Sequence, residues 1–360
     1  MKTKLSRKQM FFNKINLTKD DDVYIGIDAH KDSYNIAIWL NDAPAIDYTM
    51  PANNKKLIKD IEKIKPAIKN IVYEAGPTGY SLARELQGQN FPVQVIAPAI
   101  TPRPATKQTK TDRLDCRKLA QYAAKGLLRP VAIPTKQQEA DRQLTRIRGH
   151  IVDKLKRIKI QIKSFLLQHG IDQPVGLKNW SQEAVDCLKK INLNEYLRFS
   201  LDLMLEQLEF FRNKLKEVES KLKELLEKER HHRKIELMRT HPGVGPVVAG
   251  MFRTEIFNPK RFKDKTQIAK YIGLSPQITQ SGQSMRDGPI IKTGRAQIRS
   301  TLIQAAWRWV ARDPAARGIY RRLLANTAQP NKAIVAMARR LAVNLWKISC
   351  DNLAYIAPVY

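Results

Sequence analysis

Four acidic side chains stand where they could hold metal ions. Asp28 and Glu74 each come directly after an apolar run that is typical of a buried strand, and adjacent strand ends can meet at one edge of a sheet. Asp112 and Asp115 are three residues apart at the start of a predicted helix, so they share one face of it. Four carboxylates this close would repel one another unless cations bound between them. Oxygen ligands suit Mg²⁺, or Mn²⁺ in its place, and paired ions can stabilise both the attacking and the leaving oxygen of a phosphodiester.

The surroundings of these acids favour a substrate that carries phosphate. Lys107, Lys110 and Arg113 lie close to the two helix acids along the chain, so we predict that they contact nucleic acid. Each acid alone has a simpler explanation: Asp28 could accept hydrogen bonds in a turn, and Asp112 could favour the helix N-terminus through the helix dipole. The four acids in this order are typical of an RNase H-like fold, and together they predict a catalytic site.

A second group of residues could supply a nucleophile. Ser275, Ser281 and Ser284 lie among small residues that predict an exposed turn. A serine hydroxyl can attack phosphorus while guanidinium groups neutralise the developing charge. The chemistry of the residues does not choose among the three serines, each of which could equally be a turn former or a phosphate contact. The basic residues that follow and that we predict to contact nucleic acid are Arg286, Lys292, Arg295 and Arg299.

A glycine-rich break precedes the serines. Gly243 and Gly245 lie within Pro-Gly-Val-Gly-Pro, which resembles the hairpin of a helix–hairpin–helix. Glycines let backbone amides approach a phosphate closely, so we predict that both contact nucleic acid. The alternative is a tight connection between two core helices. Near the end of the chain, Arg339 and Arg340 are further candidates for phosphate contact.

The elements that must position the acids form an α/β unit. Apolar runs and alternating patterns predict strands, and capped stretches with apolar residues at helical spacing predict helices. The order is three strands, helix, strand, helix, strand, loop, helix, which is typical of an α/β sheet. The predicted strands are 23–27, 33–39, 48–51, 70–73 and 92–96, and the predicted helices are 53–65, 80–86 and 112–125.

The rest of the chain has helical periodicity. An apolar stripe runs along 138–167, and leucines recur at steps of three, four or seven along 201–230, which predicts a coiled-coil arm. The alternative is a long helix that packs against its own domain. We predict four parts: a flexible basic leader over 1–22, an RNase H-like (RuvC-like) domain with a trailing basic helix over 23–167, the helical arm over 168–235 and a mainly α domain with the serines over 236–360.

The charge of the chain indicates a polyanionic partner. Lys and Arg number 64 against 34 Asp and Glu, which gives a net charge of +30, and nucleic acid is the first candidate for a partner. A membrane partner is excluded because the sequence has no apolar stretch of about 18 residues. The three cysteines are far apart, which argues against a disulfide framework or a zinc site and fits the cytoplasm of a prokaryote.

Seven short blocks, in this order along the chain, resemble the insertion-sequence-110 family of transposases. They span most of the sequence, so their combination is specific although each block is short. The blocks are Gly-Ile-Asp at 26–28, Tyr-Glu-Ala-Gly-Pro-Thr-Gly at 73–79, Lys-Thr-Asp-Arg-Leu-Asp at 110–115, Pro-Gly-Val-Gly at 242–245, Gly-Leu-Ser-Pro at 273–276, Ser-Gly-Gln-Ser at 281–284 and Lys-Thr-Gly at 292–294.

The resemblance implies a mechanism that the composition does not show. The family's nucleophile matches Ser281, which would form a phosphoserine bond to DNA, and the RuvC-like domain would bind Mg²⁺ through Asp28, Glu74, Asp112 and Asp115. A noncoding bridge RNA would pair with both donor and target DNA. The protein would act as a homo-oligomer, a dimer that assembles into a tetramer, with the carboxylates of one subunit beside the serine of another.

Two other functions compete with this interpretation. A RuvC-like Mg²⁺-dependent junction nuclease needs only the four acids and leaves Ser281 without a role. A non-catalytic nucleic-acid-binding protein uses only the positive charge and needs neither group. Substitution of Ser281 separates the recombinase from the nuclease, because a hydrolase should survive it.

Overall fold

The computed structural model describes residues 7–98, 112–281, 284–292 and 294–357, and the side chains of these residues except 7, 112–114, 278–281 and 284–287. The chain divides into two compact units, Met1–Pro134 and Thr135–Tyr360. The first unit mixes strands and helices, and the second is almost entirely helical. The predicted α/β sheet and the predicted mainly helical C-terminal region are therefore confirmed.

The described part of the first unit contains six strands. They are β1 (Val23–Ala29), β2 (Ser33–Leu40), β3 (Ala43–Pro51), β4 (Ile68–Glu74), β5 (Val93–Ile96) and β6 (Pro130–Val131). They form one sheet in the order β3-β2-β1-β4-β5-β6. β1, β4 and β5 are parallel, whereas β2 is antiparallel to β1, β3 to β2 and β6 to β5. The carboxyl ends of β1 and β4, which are neighbours, thus lie at the same edge.

Helices cover both faces of this sheet. They are α1 (Arg7–Lys14), α2 (Asn54–Ile61), α3 (Ser81–Gly88) and α4 (Asp112–Ala124), with a 3₁₀ helix at Glu62–Ala67. α2 and α3 share a core with Ile25 and Ile27 of β1. α4 packs on the opposite face, beside Tyr24 and Ala37. Because successive side chains of a strand point to opposite faces, the alternation along β1 produces a three-layer unit.

The second unit consists of nine described α-helices and one short hairpin. The helices are α5 (Lys136–Gln168), α6 (Gln182–Lys190), α7 (Glu195–Leu226), α8 (Glu229–Arg239), α9 (Pro246–Ile256), α10 (Lys265–Ile272), α11 (Ala296–Arg312), α12 (Pro314–Thr327) and α13 (Pro330–Asp351). A 3₁₀ helix lies at Pro259–Arg261, and the hairpin strands are β7 (Pro276–Ser281) and β8 (Ser284–Ile290). Among the described helices, none combines the length and apolar character needed to cross a membrane.

α5 begins at a clear sequence signal and belongs to the second unit. The Thr135 side chain accepts a hydrogen bond from the Gln138 backbone at 3.1 Å, and the Gln138 side chain accepts one from the Thr135 backbone at 3.0 Å. This reciprocal capping box satisfies two amides that would otherwise lack partners. The helix packs within Thr135–Tyr360, whereas we had assigned 138–167 to the domain over 23–167. The predicted division of the chain into four parts remains a prediction.

α5 and α7 form an antiparallel pair. Arg148 bonds Glu219 at 2.6 Å, and Lys154 lies over the Phe211 ring at 5.2 Å, so the numbering of the two helices runs in opposite directions. The apolar contact between the two helices, the seam, buries part of the predicted leucine repeat within the chain. A coiled coil between chains remains a prediction. The buried residues of the seam are Ile151, Leu155, Ile158, Ile162, Leu166, Leu201, Leu205 and Leu208.

Candidate active site

Two of the predicted carboxylates lie at neighbouring strand ends. Ile27 pairs with Tyr73 in the parallel register of β1 and β4. Asp28 and Glu74 are the next residue on each strand, so the two acids occupy adjacent positions at one edge of the sheet. The predicted convergence of these two strand ends is therefore confirmed. The side chain of Asp28 is 25% exposed, which leaves it accessible from solvent.

A glycine sets the distance between β1 and α4. A Cβ atom on Gly26 would lie 2.6 Å from the backbone nitrogen of Ala120 and closer still to the carbonyl oxygen of Cys116. No real side chain tolerates such contacts, so glycine is required for this approach. Asp28 is two residues beyond Gly26 and therefore faces α4 as well.

The course of α4 brings its first turn toward Asp28. Tyr24 packs against the cluster that contains Leu119 and Ala123, whereas Gly26 meets Cys116 and Ala120, one turn earlier in the helix. Asp28 is two residues beyond Gly26 on β1. By the same progression it lies next to the first turn of α4, where Asp112 and Asp115 lie. Burial raises the pKa of the Cys116 thiol to about 12, and the nearby Asp28 carboxylate adds to this rise. Asp115 is the residue before Cys116.

Polar contacts hold these elements in place. The Nε2 atom of His30 lies 3.0 Å from a carboxylate oxygen of Asp28. From α4, the Nε of Arg117 donates to the buried carboxylate of Asp47 at 2.9 Å, which fastens the helix to β3. The ion pair, in which Asp47 is buried and Arg117 is partly exposed, orients α4 at the cost of removing a carboxylate from water.

The residues at this edge offer oxygen ligands. Hard divalent cations such as Mg²⁺ prefer carboxylate oxygens, so the donor atoms of Asp28, Glu74 and Asp115 fit such an ion. Within the part of the chain whose side chains are described, no group of three or more His, Cys, Asp or Glu side chains is already arranged around a metal position. The side chain of Asp112, the fourth predicted ligand, lies outside the described residues.

The predicted serine lies on a hairpin that we did not predict. β7 ends at Ser281, which pairs with Ser284 at the start of β8, where we expected a turn within a mainly helical region. A two-residue loop that begins with glycine is a hairpin signal, and Gly282-Gln283 supplies it. Ser275, by contrast, is buried with 6% of its surface exposed. Of the two candidates at the loop, Ser281 and Ser284, the side chains lie outside the described residues.

The predicted contacts with nucleic acid have different surroundings. Lys292 and Arg295 are exposed, as a phosphate contact requires. Arg299 donates to the backbone carbonyl of Gly294 at 3.2 Å, so part of its guanidinium is committed to the loop. Lys107, Lys110 and the side chains of Arg113 and Arg286 lie outside the described residues.

The two glycines before α9 differ in their packing. Gly243 has a φ of +87°, and a Cβ there would lie 2.6 Å from the backbone nitrogen of Trp309 and 2.7 Å from the carbonyl oxygen of Ala305. Gly245 precedes α9 as its N-cap with nothing near the position of its Cβ. Gly243 therefore fits the tight connection that we considered as the alternative, whereas Gly245 leaves room for a ligand.

We expect Gly243→Ala to destabilise the second unit strongly and Gly245→Ala to be nearly neutral. The first substitution combines a left-handed φ with a clash against the backbone of α11, and overpacking of this kind costs about 1–3 kcal/mol. Chemical denaturation of both variants measures the difference. Equal free energies of unfolding for the two would contradict the close packing of Gly243 against α11.

Sequence patterns alone did not identify the residues that position the acids. Gly26, Cys116 and the Arg117–Asp47 pair were not among the predicted residues. A glycine inside a buried strand often marks a close backbone approach, so Gly26 carried a usable signal. The ion pair joins residues 70 positions apart, and nothing local in the sequence indicates it.

Comparisons with known proteins agree with the resemblance. A family model described as a transposase, of the DEDD type of IS110, matches residues 25–171, and a model of the IS116/IS110/IS902 transposase family matches residues 235–321. Together these matches cover more than half of the chain and include the strand-end acids, α4 and the hairpin.

Curated relatives are similar along most of their length. A putative transposase, y4qE, of Sinorhizobium fredii is 27% identical over 79% of this chain and 71% of its own. The transposase for insertion sequence element IS1533 of Leptospira borgpetersenii is 26% identical over 90% and 95%, and that for IS1111A of Coxiella burnetii is 23% identical over 96% and 94%. The chain therefore belongs to the IS110 family of transposases, enzymes that cleave and rejoin DNA.

Proposed function

We propose that this protein is the transposase of an insertion sequence and that it works as an RNA-guided serine recombinase. The observation that carries the proposal is the meeting of Asp28 and Glu74 at adjacent strand ends, next to the first turn of α4. A chain that only bound nucleic acid would gain nothing from carboxylates at this edge, because they repel phosphate. Their place in an otherwise strongly basic protein favours a catalytic role.

The fold of the first unit supports an RNase H-like assignment. Three antiparallel strands are followed by two parallel ones in the order β3-β2-β1-β4-β5, with helices on both faces. We propose that Asp28, Glu74, Asp112 and Asp115 hold Mg²⁺, or Mn²⁺ in its place. Bound cations would supply positive charge to the oxygens of the reacting phosphodiester. His30 would orient Asp28 through their 3.0 Å contact.

The chemistry of strand exchange is assigned to Ser281. Its Oγ attacks the phosphorus of a DNA phosphodiester and gives its proton to water, while the bond from phosphorus to the 3′ oxygen breaks. The 3′ oxygen leaves and takes up a proton, and the 5′ phosphate stays on the serine. A 3′ hydroxyl from another strand then attacks this phosphoserine, forms a new phosphodiester and returns the serine. The step conserves the number of phosphodiester bonds and needs no external energy source.

Two further partners belong to the proposal. The net charge of +30 suits both DNA strands and a noncoding bridge RNA that pairs with donor and target. A dimer that assembles into a tetramer would bring the carboxylates of one subunit to the serine of another. Apolar side chains at heptad-like spacing on the outer face of α7 support association through the arm. They are Tyr196, Phe199, Leu203 and Phe210, all of them exposed.

The test of this function is a covalent adduct between protein and DNA. We would express the protein with its native flanking noncoding DNA and a target plasmid, and look for DNA-linked protein on a denaturing gel. We expect an adduct with the wild type and with Ser284→Ala, and none with Ser281→Ala. The Ser284 variant is the matched control because it lies across the same loop and loses the same hydroxyl.

Other outcomes would favour the competing functions. Equal cutting of DNA by all three proteins with no adduct would identify a junction nuclease, in which Ser281 has no catalytic role. An adduct that persists in Ser281→Ala but is absent in Ser284→Ala would identify Ser284 as the nucleophile. Tight DNA binding by the wild type without cutting, when the transcript of the flanking DNA is present, would favour a non-catalytic binding protein.

A further inference from the structure

A cavity of about 460 Å³ lies in the second unit, between α10, α11, α12 and α13. Its volume falls within the range of roughly 300–1,000 Å³ that is usual for small-molecule sites. Three residues singled out from the sequence line it: Ser275, one of the three candidate serines, and Arg339 and Arg340, the candidates for phosphate contact near the end of the chain. A second, smaller cavity shares the lining residues Ile319 and Arg340 with it.

Cations line the mouth of this cavity. Lys265 projects from the start of α10, and Arg339 and Arg340 are consecutive on α13. All three are exposed, and among the described residues none of them is paired with a carboxylate. Positive charge of this kind at the rim of a cleft attracts an anion, and arginine suits phosphate because its planar group can donate two parallel hydrogen bonds.

Aromatic and uncharged polar groups line the interior. Trp309 and Tyr355 form part of the wall, with their rings 6.5 Å apart. Behind them, His241 donates from Nδ1 to the carbonyl of Pro242 at 2.9 Å and accepts from Asn344 at 3.1 Å. Burial lowers the pKa of His241 to about 4, so the ring is neutral and the inner wall carries no charge.

The amide of Asn344 adds a group that could recognise a base. Its Nδ2 is committed to His241, and no described donor bonds its Oδ1. Asn344 lines the cavity, and its amide oxygen could accept from an exocyclic amino group. A cationic rim, an aromatic wall and an amide acceptor are the three features by which proteins hold an unstacked nucleotide.

We propose that this cavity binds a single unpaired nucleotide, with its phosphate on Arg339, Arg340 and Lys265 and its base against Tyr355, beside the buried Trp309. The ligand chemistry is that of DNA and RNA alike. The inference rests on the proposed function for the presence of nucleic acid, and goes beyond it by assigning a site where one base leaves its stack.

The position of the cavity along the chain fits a role beside the reaction rather than in it. Ser275 lines the cavity, and β7 begins at the next residue and ends at Ser281. Six residues of extended strand span about 20 Å, so the bound nucleotide would be several nucleotides away from the phosphate that Ser281 attacks. A base held there would fix the register of the strand that enters the site.

Photocrosslinking to short oligonucleotides tests the cavity directly. The probes are single-stranded DNA and RNA of the same sequence, each with one 5-iodocytosine, which retains the exocyclic amino group. We expect a crosslink that mass spectrometry maps to the peptide of Tyr355 or Trp309. Crosslinking with DNA alone identifies a donor or target strand as the source of the nucleotide, and crosslinking with RNA alone identifies the guide.

Three variants decide the outcome. Arg340→Ala should lower the crosslink yield about tenfold through loss of a charge-assisted phosphate contact, and Ala269→Met should lower it by filling the cavity without changing the charge. Arg321→Ala is the matched control, because it removes the same charge from exposed surface outside the cavity, and we expect less than a twofold change. Circular dichroism confirms that each variant folds.

Some results would overturn the proposal. They are crosslinks that map outside the cavity, or an Arg321→Ala loss as large as that of Arg340→Ala. The assay needs no strand exchange, so it separates this site from the proposed function. A protein that forms no phosphoserine but crosslinks at Tyr355 would refute the recombinase and retain the nucleotide site.

Discussion

Asp28→Asn should abolish DNA strand exchange while leaving DNA binding close to that of the wild type. The substitution keeps the shape of the side chain and removes the charge that a divalent cation requires at the end of β1. We expect a loss of roughly a thousandfold in the rate of strand exchange, which corresponds to about 4 kcal/mol of transition-state stabilisation. Gel-based recombination assays at fixed Mg²⁺, with filter binding in parallel, measure the two quantities.

Asp42→Asn is the control for this variant. Asp42 is exposed in the turn between β2 and β3, at the opposite end of the sheet from Asp28, and its replacement changes the charge of the same unit equally. It should exchange strands at the rate of the wild type. Normal recombination by Asp28→Asn would refute the metal site at this edge, and an equal loss in both variants would indicate a general effect of charge.

Asp141→Ala should unfold the second unit at a much lower denaturant concentration than the wild type. Asp141 is 5% exposed, and its carboxylate accepts from Gln137 at 2.8 Å, from Arg230 at 2.8 Å and from His231 at 2.9 Å. Removing the Asp141 carboxylate leaves its buried donors without an acceptor, which lowers the free energy of unfolding by about 3–5 kcal/mol. Because Arg230 is partly exposed and water weakens its interaction, we expect a value of about 3 kcal/mol.

The pH dependence of stability gives a second measurement on the same residue. Burial by itself raises the pKa of Asp141, but the hydrogen bonds from Arg230, Gln137 and His231 outweigh it and hold that pKa at about 2. Because this value is below the ordinary 3.8, the carboxylate stabilises the folded state fully above pH 4 or so, and the contribution is lost as the pH falls toward 2. The free-energy difference between wild type and Asp141→Ala should shrink over that interval.

Asp153→Ala is the matched control on the same helix, because Asp153 is exposed on α5. We expect it to change the free energy of unfolding by less than about 0.5 kcal/mol. If Asp141→Ala were as stable as this control, the network would contribute nothing and the link between α5 and α8 would have to lie elsewhere.

Apolar runs and alternating patterns predicted most of the sheet, because each buried strand position requires an apolar side chain. β1, β2, β4 and β5 agree with the predicted strands within a few residues. β3 begins at Ala43, five residues earlier than predicted, since Ala43-Pro44-Ala45 carries no strand signal. Proline has no backbone N–H group to donate to a neighbouring strand. Pro44 is tolerated because β3 is at the edge of the sheet and has a neighbouring strand on one side only.

Contacts between distant residues could not be predicted from the sequence. The pair Arg146–Glu255 joins residues 109 positions apart, and Asp141 reaches His231 across 90. No periodicity encodes such partners, because any of the many charged side chains could have served. The β7–β8 hairpin was missed for a different reason: its strands are polar and short, so only the Ser-Gly-Gln-Ser loop indicated it.

The antiparallel pairing of α5 and α7 has a consequence for the length of this helix pair. α5 has 33 residues and is therefore about 50 Å long. Deletion of seven residues from each helix at matched positions would keep the apolar seam in phase and shorten the helix pair by about 10 Å. Removal or addition of whole heptads would thus change the length of the helix pair without any change in the residues at either end.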